Sequence, residues 1–137
     1  MGFLDIPYKD VPDLRVIPEG TEVLLTIKEA KFTVKEESGN KFIQLKLADM
    51  GDPSVKKVYE NIFLPRDDDD EDKKQNKLRR IKQFCEAFQV DLNQCEVNDA
   101  TKEIQALVGA SGWVIVSVDT DSQYGESNNI ARYIKRA

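Results

Sequence analysis

Two segments of the chain alternate aromatic, amide and basic side chains in a pattern that suits the binding of a single-stranded nucleic acid. The six residues concerned are Phe42, Gln44, Lys46, Tyr59, Asn61 and Phe63. In an extended strand every second side chain points to the same face, so each set of three would share one surface. Bases stack on rings whatever their sequence, cations hold the phosphates, and each stack contributes about 1–3 kcal/mol. Ordinary cross-strand packing of the same rings is the alternative interpretation.

Four further residues flank these segments and are candidates for the same ligand. Lys35 and Lys41 stand on either side of residues 37–40, where Ser-Gly-Asn is typical of a hairpin turn. Tyr124 lies within the last polar loop, and Arg132 follows it. Basic residues at such positions are by default solvated, so a binding role for them depends on the rings beside them.

The charge of the chain is unevenly distributed. The 137 residues carry a formal net charge of −5, but six consecutive acids occupy positions 67–72, and without them the charge is +1. Six like charges repel one another in any compact form, so we expect a solvated acidic loop at 66–74. Such a run could discourage duplex binding, compete with nucleic acid for a basic groove, or recruit a basic protein. The last role gives a second hypothesis, a protein-binding adaptor or DNA-mimicking inhibitor acting through residues 67–72.

Several arrangements that enzymes commonly use are absent from the sequence. There is no histidine, which most nucleophilic triads and many acid–base pairs need. The two cysteines, Cys85 and Cys95, cannot form an ordinary zinc site, and Cys85 falls on the apolar face of a predicted helix. No phosphate-binding glycine loop and no Gly-x-Ser-x-Gly motif occurs. We therefore expect a binding protein without metal or cofactor, and not an enzyme.

Alternating apolar residues predict a mostly β chain whose first strand is bent. Apolar residues alternate in one phase over 23–27 and in the opposite phase over 30–34, and such a slip indicates a β-bulge. The remaining strands are predicted at 41–48, 55–64, 113–119 and 130–134. A helix is predicted over 73–88, and a second, short helix near 99–107. The apolar stripe of the longer helix consists of Leu78, Ile81, Phe84, Cys85 and Phe88.

The resulting order, β-β-β-α-β-β with a helix between the third and fourth strands, is the plan of the five-stranded oligonucleotide/oligosaccharide-binding barrel, the OB-fold. We therefore predict an all-β fold with one or two helices, in a single domain over 19–137. Residues 1–18 contain three prolines and are predicted to form an extended N-terminal arm. No apolar run approaches the ~20 residues that cross a bilayer, and no signal peptide is visible, so we expect a cytoplasmic protein without membrane contact.

Short motifs spread over most of the chain carry a family resemblance. They lie at 17–21, 38–41, 59–65 with the helix that follows, and 128–133. From about Ile17 to the C-terminus the chain resembles phage-encoded single-stranded DNA-binding proteins with an OB-fold. The resemblance implies a protein that coats single-stranded DNA, or single-stranded RNA, in phage replication or recombination, in the host cytoplasm and alongside replication or recombination proteins. It places nucleic-acid contacts at Phe42, Lys46, Tyr59, Phe63, Lys41 and Tyr124.

Overall fold

The protein folds as a single antiparallel sheet with one α-helix, which confirms the mostly β prediction. A computed structural model describes residues 9, 13–120 and 125–136. Its strands are β1 Glu22–Lys35, β2 Asn40–Ala48, β3 Val58–Phe63, β4 Ser111–Asp119 and β5 Ser127–Ile134. The helix, α1 Glu71–Phe88, lies between β3 and β4 in the chain, and the strand order in the sheet is β3-β2-β1-β4-β5.

The bulge predicted in β1 is confirmed. The register between β1 and β2 shifts between Ile27 and Glu29, so one residue of β1 is left over at Lys28. Leu25 and Ile27 are buried before the shift, and Ala30 is buried after it. Because of this shift, the same side of the sheet stays apolar along the whole strand. The first half of β1 pairs with β4 and the second half with β2.

Helix α1 begins two residues earlier than predicted, because the acidic residues cap it. The carboxylate of Asp70 accepts a hydrogen bond from the Lys73 backbone N–H at 2.8 Å, and Glu71 and Asp72 occupy the first turn. Acids at this end of a helix are favoured by its dipole. Only the C-terminal half of the helix enters the core, through Phe84 and its neighbours. The apolar stripe predicted for the helix is buried only in part, because Leu78 at its N-terminal end is 47% exposed.

The prediction of a second helix near 99–107 is wrong. The side chain of Asn98 accepts hydrogen bonds from the backbone N–H groups of Ala100 and Thr101, which makes a turn. Lys102 then adopts a left-handed backbone with φ +66°, which ends any helical path. The chain next pairs with β1, where the Ile104 N–H donates to the Ala30 carbonyl at 2.9 Å. Within the described residues, short 3-10 turns form at Leu92–Gln94 and Gln105–Leu107.

A glycine in β4 lets the helix approach the sheet closely. A Cβ atom on Gly112 would lie 2.6 Å from the Phe88 ring, closer than carbon atoms can approach. The Phe88 ring is itself held by Phe84, with ring centroids 4.9 Å apart, and both rings are buried. Position 112 therefore requires glycine because any side chain there would clash with the Phe88 ring. The conformational freedom of glycine is not the reason.

We expect Gly112→Ala to lower the free energy of unfolding by about 1–3 kcal/mol, because the added methyl overpacks a filled core. Chemical denaturation followed by circular dichroism measures the change. Gly51→Ala is the matched control, since its Cβ would meet only Asp49 Oδ1 at 3.4 Å. Equal stability of the two variants would contradict the close packing of α1 on β4.

A polar network links the two edge strands of the sheet to the helix. Arg80 donates to the Glu60 carboxylate on β3 at 2.8 Å and to the Ile130 carbonyl on β5 at 3.0 Å. Tyr133 donates its hydroxyl hydrogen to the same carboxylate at 3.1 Å, and its ring lies 4.4 Å below the Arg80 guanidinium. Burial raises the pKa of Tyr133 far above its usual value, so the hydroxyl stays protonated as a donor. The edges β3 and β5 thus come together through side chains.

The described part of the N-terminal segment, 13–18, packs against the sheet. Ile17 is buried in the core, and Arg15 forms a short bridge with Val55 near the start of β3. The rest of the predicted arm lies mostly outside the described residues. Among the helices that the structure describes, none is both long and apolar enough to cross a membrane.

Candidate nucleic-acid interface

The six residues singled out on β2 and β3 form three directly opposed pairs on one face of the sheet. The register places Phe42 opposite Phe63, Gln44 opposite Asn61, and Lys46 opposite Tyr59. Their alternate neighbours on both strands, such as Ile43 and Ile62, point into the core. We use the name platform for the surface that these six residues form together with the outward-facing residues of β1 beside them. The strand alternation predicted from sequence is confirmed here.

The three aromatic side chains of the platform differ in exposure. Tyr59 is 57% exposed and Phe63 is 41% exposed, whereas Phe42 is only 4% exposed. The Phe42 and Phe63 ring centroids are 5.3 Å apart and the rings are tilted by 46°. The buried ring of Phe42 therefore packs against the ring of Phe63. The ring faces that a ligand could reach are those of Phe63 and Tyr59. These two residues are four positions apart on one strand, about 13 Å, so separate nucleotides would occupy them.

Positive charge borders the platform on the β1 and β2 side. The Lys35 ammonium lies 5.8 Å from the centre of the Phe42 ring. Lys46 approaches Glu29 on β1 to 3.9 Å, so part of its charge is neutralised. Lys31 lies directly opposite Gln44 and extends the middle row of the platform, a position that the sequence analysis missed. The change of alternation along β1 could have revealed the position of Lys31. If Ala30 points inward after that change, its neighbour Lys31 must point outward.

Two of the predicted site residues lie away from the platform, and a third is not among the residues that the structure describes. Lys41 has the same parity as the core residues of β2, so it points away from Phe42 at the start of the strand. Arg132 lies on β5 opposite Ile115 of β4, on another part of the sheet. Tyr124 lies outside the described residues. The predicted site residues that the platform does bring together are Lys35, Phe42, Gln44, Lys46, Tyr59, Asn61 and Phe63.

The acidic run is not simply a solvated loop. The Asp69 carboxylate accepts hydrogen bonds from the Lys77 ammonium at 2.6 Å and from the Arg66 backbone N–H at 2.9 Å. These bonds hold the pKa of Asp69 below its usual value. Asp68 pairs with the Arg66 guanidinium at 2.7 Å, and Asp70 caps the helix. Glu71 accepts from the Gln75 amide at 3.1 Å, so four of the six acids have partners near the start of α1. The predicted loop at 66–74 is therefore shorter than expected.

A wide cleft continues the platform beyond Tyr59. It has a volume of about 480 Å³ and is lined by Leu14, Val55, Lys56 and Lys57 beside the tyrosine ring. The Lys56 ammonium donates to the Glu126 carbonyl at 2.9 Å, which fixes one wall to the start of β5. An exposed ring next to two lysines offers a stacking surface and a phosphate contact together.

Neither cysteine is placed for chemistry. Cys85 and Cys95 are free and partly buried, and desolvation raises the pKa of both thiols. Over the described ranges, no group of three or more acidic or cysteine side chains is arranged to hold a metal ion. No known protein-family model matches the chain, and no curated protein matches it.

Proposed function

We propose that this protein binds single-stranded DNA on the platform, with little dependence on sequence, and that it binds the strand without transforming it. The observation that carries the proposal is the pair of exposed rings on β3, Tyr59 and Phe63, flanked by exposed amides and bordered by lysines. Stacking on rings is indifferent to base identity, and each stack adds to the affinity that cations along the strand's backbone provide.

The proposal includes closure of the sheet into an OB-fold barrel. The strand order β3-β2-β1-β4-β5 and the helix between β3 and β4 agree with that plan. The contacts that Glu60 makes with Arg80 and Tyr133 draw β3 and β5 together, as closure requires. In that fold the face of strands two and three binds oligonucleotides, and the platform is the same face.

The family resemblance extends the proposal to a biological setting. A protein of this kind would coat single strands during phage replication or recombination in the host cytoplasm. It would act beside replication or recombination proteins, and single-stranded RNA would be a second ligand of the same surface.

The adaptor or DNA-mimic hypothesis is the weaker candidate. A mimic presents its carboxylates to a partner, but Asp69 and Asp68 are bonded to Lys77 and Arg66 of the same chain. Asp70 is likewise engaged at the helix N-terminus. Partners already present within the chain reduce the charge available to a basic protein.

A titration with a fluorescent oligothymidine tests the proposed function. We expect binding that weakens as salt rises, because cations released from the strand favour the complex at low salt. A duplex of the same length serves as the control and should bind far more weakly. The absence of single-strand binding at low salt would overturn the proposal.

A further inference from the structure

A second cavity lies on the other side of Phe63, between β3 and α1. It has a volume of about 380 Å³, at the lower end of the range for small-ligand sites. Its lining residues are Glu60, Asn61, Phe63, Asn76, Lys77 and Arg80.

The free edge of β3 opens onto this cavity. The Leu64 N–H donates to the Lys41 carbonyl at 2.9 Å, which makes these two residues a hydrogen-bonded pair. Hydrogen-bonded and non-bonded pairs alternate along an antiparallel ladder, so Phe63 and Asn61 form non-bonded pairs with β2. Their backbone groups therefore point away from β2, toward the edge that α1 overhangs.

The charges in the cavity are balanced within the protein. Arg80 is paired with Glu60 at 2.8 Å, and Lys77 is paired with Asp69 at 2.6 Å. A phosphate entering here would meet two cations that carboxylates of the chain already pair with. A neutral, planar ligand with hydrogen-bonding edges suits this environment better than an anion does.

The polar groups that remain are amides. Among the described residues, the Asn61 side chain has no hydrogen-bond partner, and it is exposed beside the Phe63 ring. Asn76 accepts from Arg79 through its Oδ1 atom at 3.0 Å, which leaves its NH₂ group free to donate. An amide side chain can both donate to a ring nitrogen and accept from an exocyclic amino group, the pairing that it makes with adenine.

We propose that the cavity between β3 and α1 holds one flipped-out nucleobase of the bound strand, that the base stacks on Phe63, and that Asn61 and Asn76 select adenine over thymine. This inference rests on the proposed single-strand binding and deepens it. The platform binds any sequence, whereas this pocket adds a preference at one nucleotide.

The test compares wild-type affinity for an oligothymidine with its affinity for the same oligomer carrying adenines at interspersed positions. Isolated adenines avoid the self-stacking of an all-adenine strand. We expect at least about fivefold tighter binding of the adenine-containing oligomer. Asn76→Ala should remove most of this preference while changing oligothymidine affinity by less than about twofold. Asn61→Ala should also remove the preference, with a further loss of oligothymidine affinity because Asn61 belongs to the platform.

Gln83→Ala is the matched control. Gln83 is exposed on the same helix, about 10 Å further along, and does not line the cavity. This variant should keep the preference in full. Equal wild-type affinity for both oligomers would refute the proposed adenine pocket, and so would a preference that survives in both asparagine variants. Neither result would refute the proposal that the protein binds single strands. Failure of the wild type to bind either oligomer would overturn both proposals.

Discussion

Replacing Tyr59 and Phe63 together with alanine is expected to weaken oligothymidine binding by about 30-fold or more, because each lost base stack costs about 1–3 kcal/mol. Both rings lie on the solvent side of β3, and beyond the contact of Phe63 with Phe42 their loss removes little packing. The folded state should survive, with a circular dichroism spectrum like that of the wild type. Fluorescence anisotropy measures the affinity of the single and double variants.

Leu24→Ala is the control for this prediction. Leu24 is also an exposed apolar residue on a strand, but it pairs with Trp113 of β4 and lies away from the platform. Its replacement should leave binding unchanged. Wild-type affinity in the double variant would exclude stacking on these rings, and unfolding of the variant would show that they belong to the core.

Asn128→Leu is expected to lower the free energy of unfolding by about 3 kcal/mol, since it leaves buried backbone groups without partners. Asn128 is only 4% exposed, and its Oδ1 atom accepts from the Ile17 N–H at 2.8 Å. Its amide group donates to the Ile17 carbonyl at 2.9 Å and to the Ser117 carbonyl at 3.1 Å. One side chain therefore fastens the N-terminal segment to β4 and β5. A loss of this size is a large share of the stability of a typical domain.

Urea denaturation measures this change through the midpoint of the transition, provided that its slope stays constant. Asn129→Ala is the control, because Asn129 is the next residue but is exposed. A destabilisation of Asn128→Leu no larger than that of the control would contradict the anchoring role of Asn128.

The strands were predictable because their signal is local. A period of two along 23–27, followed by the opposite phase, specifies both the buried face of β1 and the position of its bulge. The outward set on β2 and β3 follows from the same alternation. The direct pairing of Lys46 with Tyr59 depends on the register, which the length and path of the intervening loop determine.

The features that the sequence did not predict have a different physical origin, since each of them depends on tertiary contacts. The repeat that includes Leu78 is helical, but α1 extends beyond the sheet at its N-terminal end, so the residue meets solvent. Asn128 is indistinguishable in sequence from the polar loop residues before it, although its amide is buried against Ile17. Phe42 has outward parity yet is buried, because Phe63 and Lys35 cover its ring.

The helix side of the candidate site was hidden for a similar reason. Asn76 and Lys77 lie on the polar face of α1, and nothing in their spacing indicates that they overhang the edge of β3. The acidic residues before them were interpreted as repelling one another. In the fold, Asp69 is satisfied by Lys77, which lies eight residues further along the chain.

Backbone amide chemical shifts of isotope-labelled protein, recorded during titration with oligothymidine, test residue by residue whether single-stranded DNA lies on the outward face of β2 and β3. We expect the largest changes on the platform, at Gln44, Tyr59 and Asn61, with Lys31 of β1 beside them. Changes concentrated instead on the β4–β5 face around Ile115 and Arg132, with the platform unaffected, would contradict this placement of the strand.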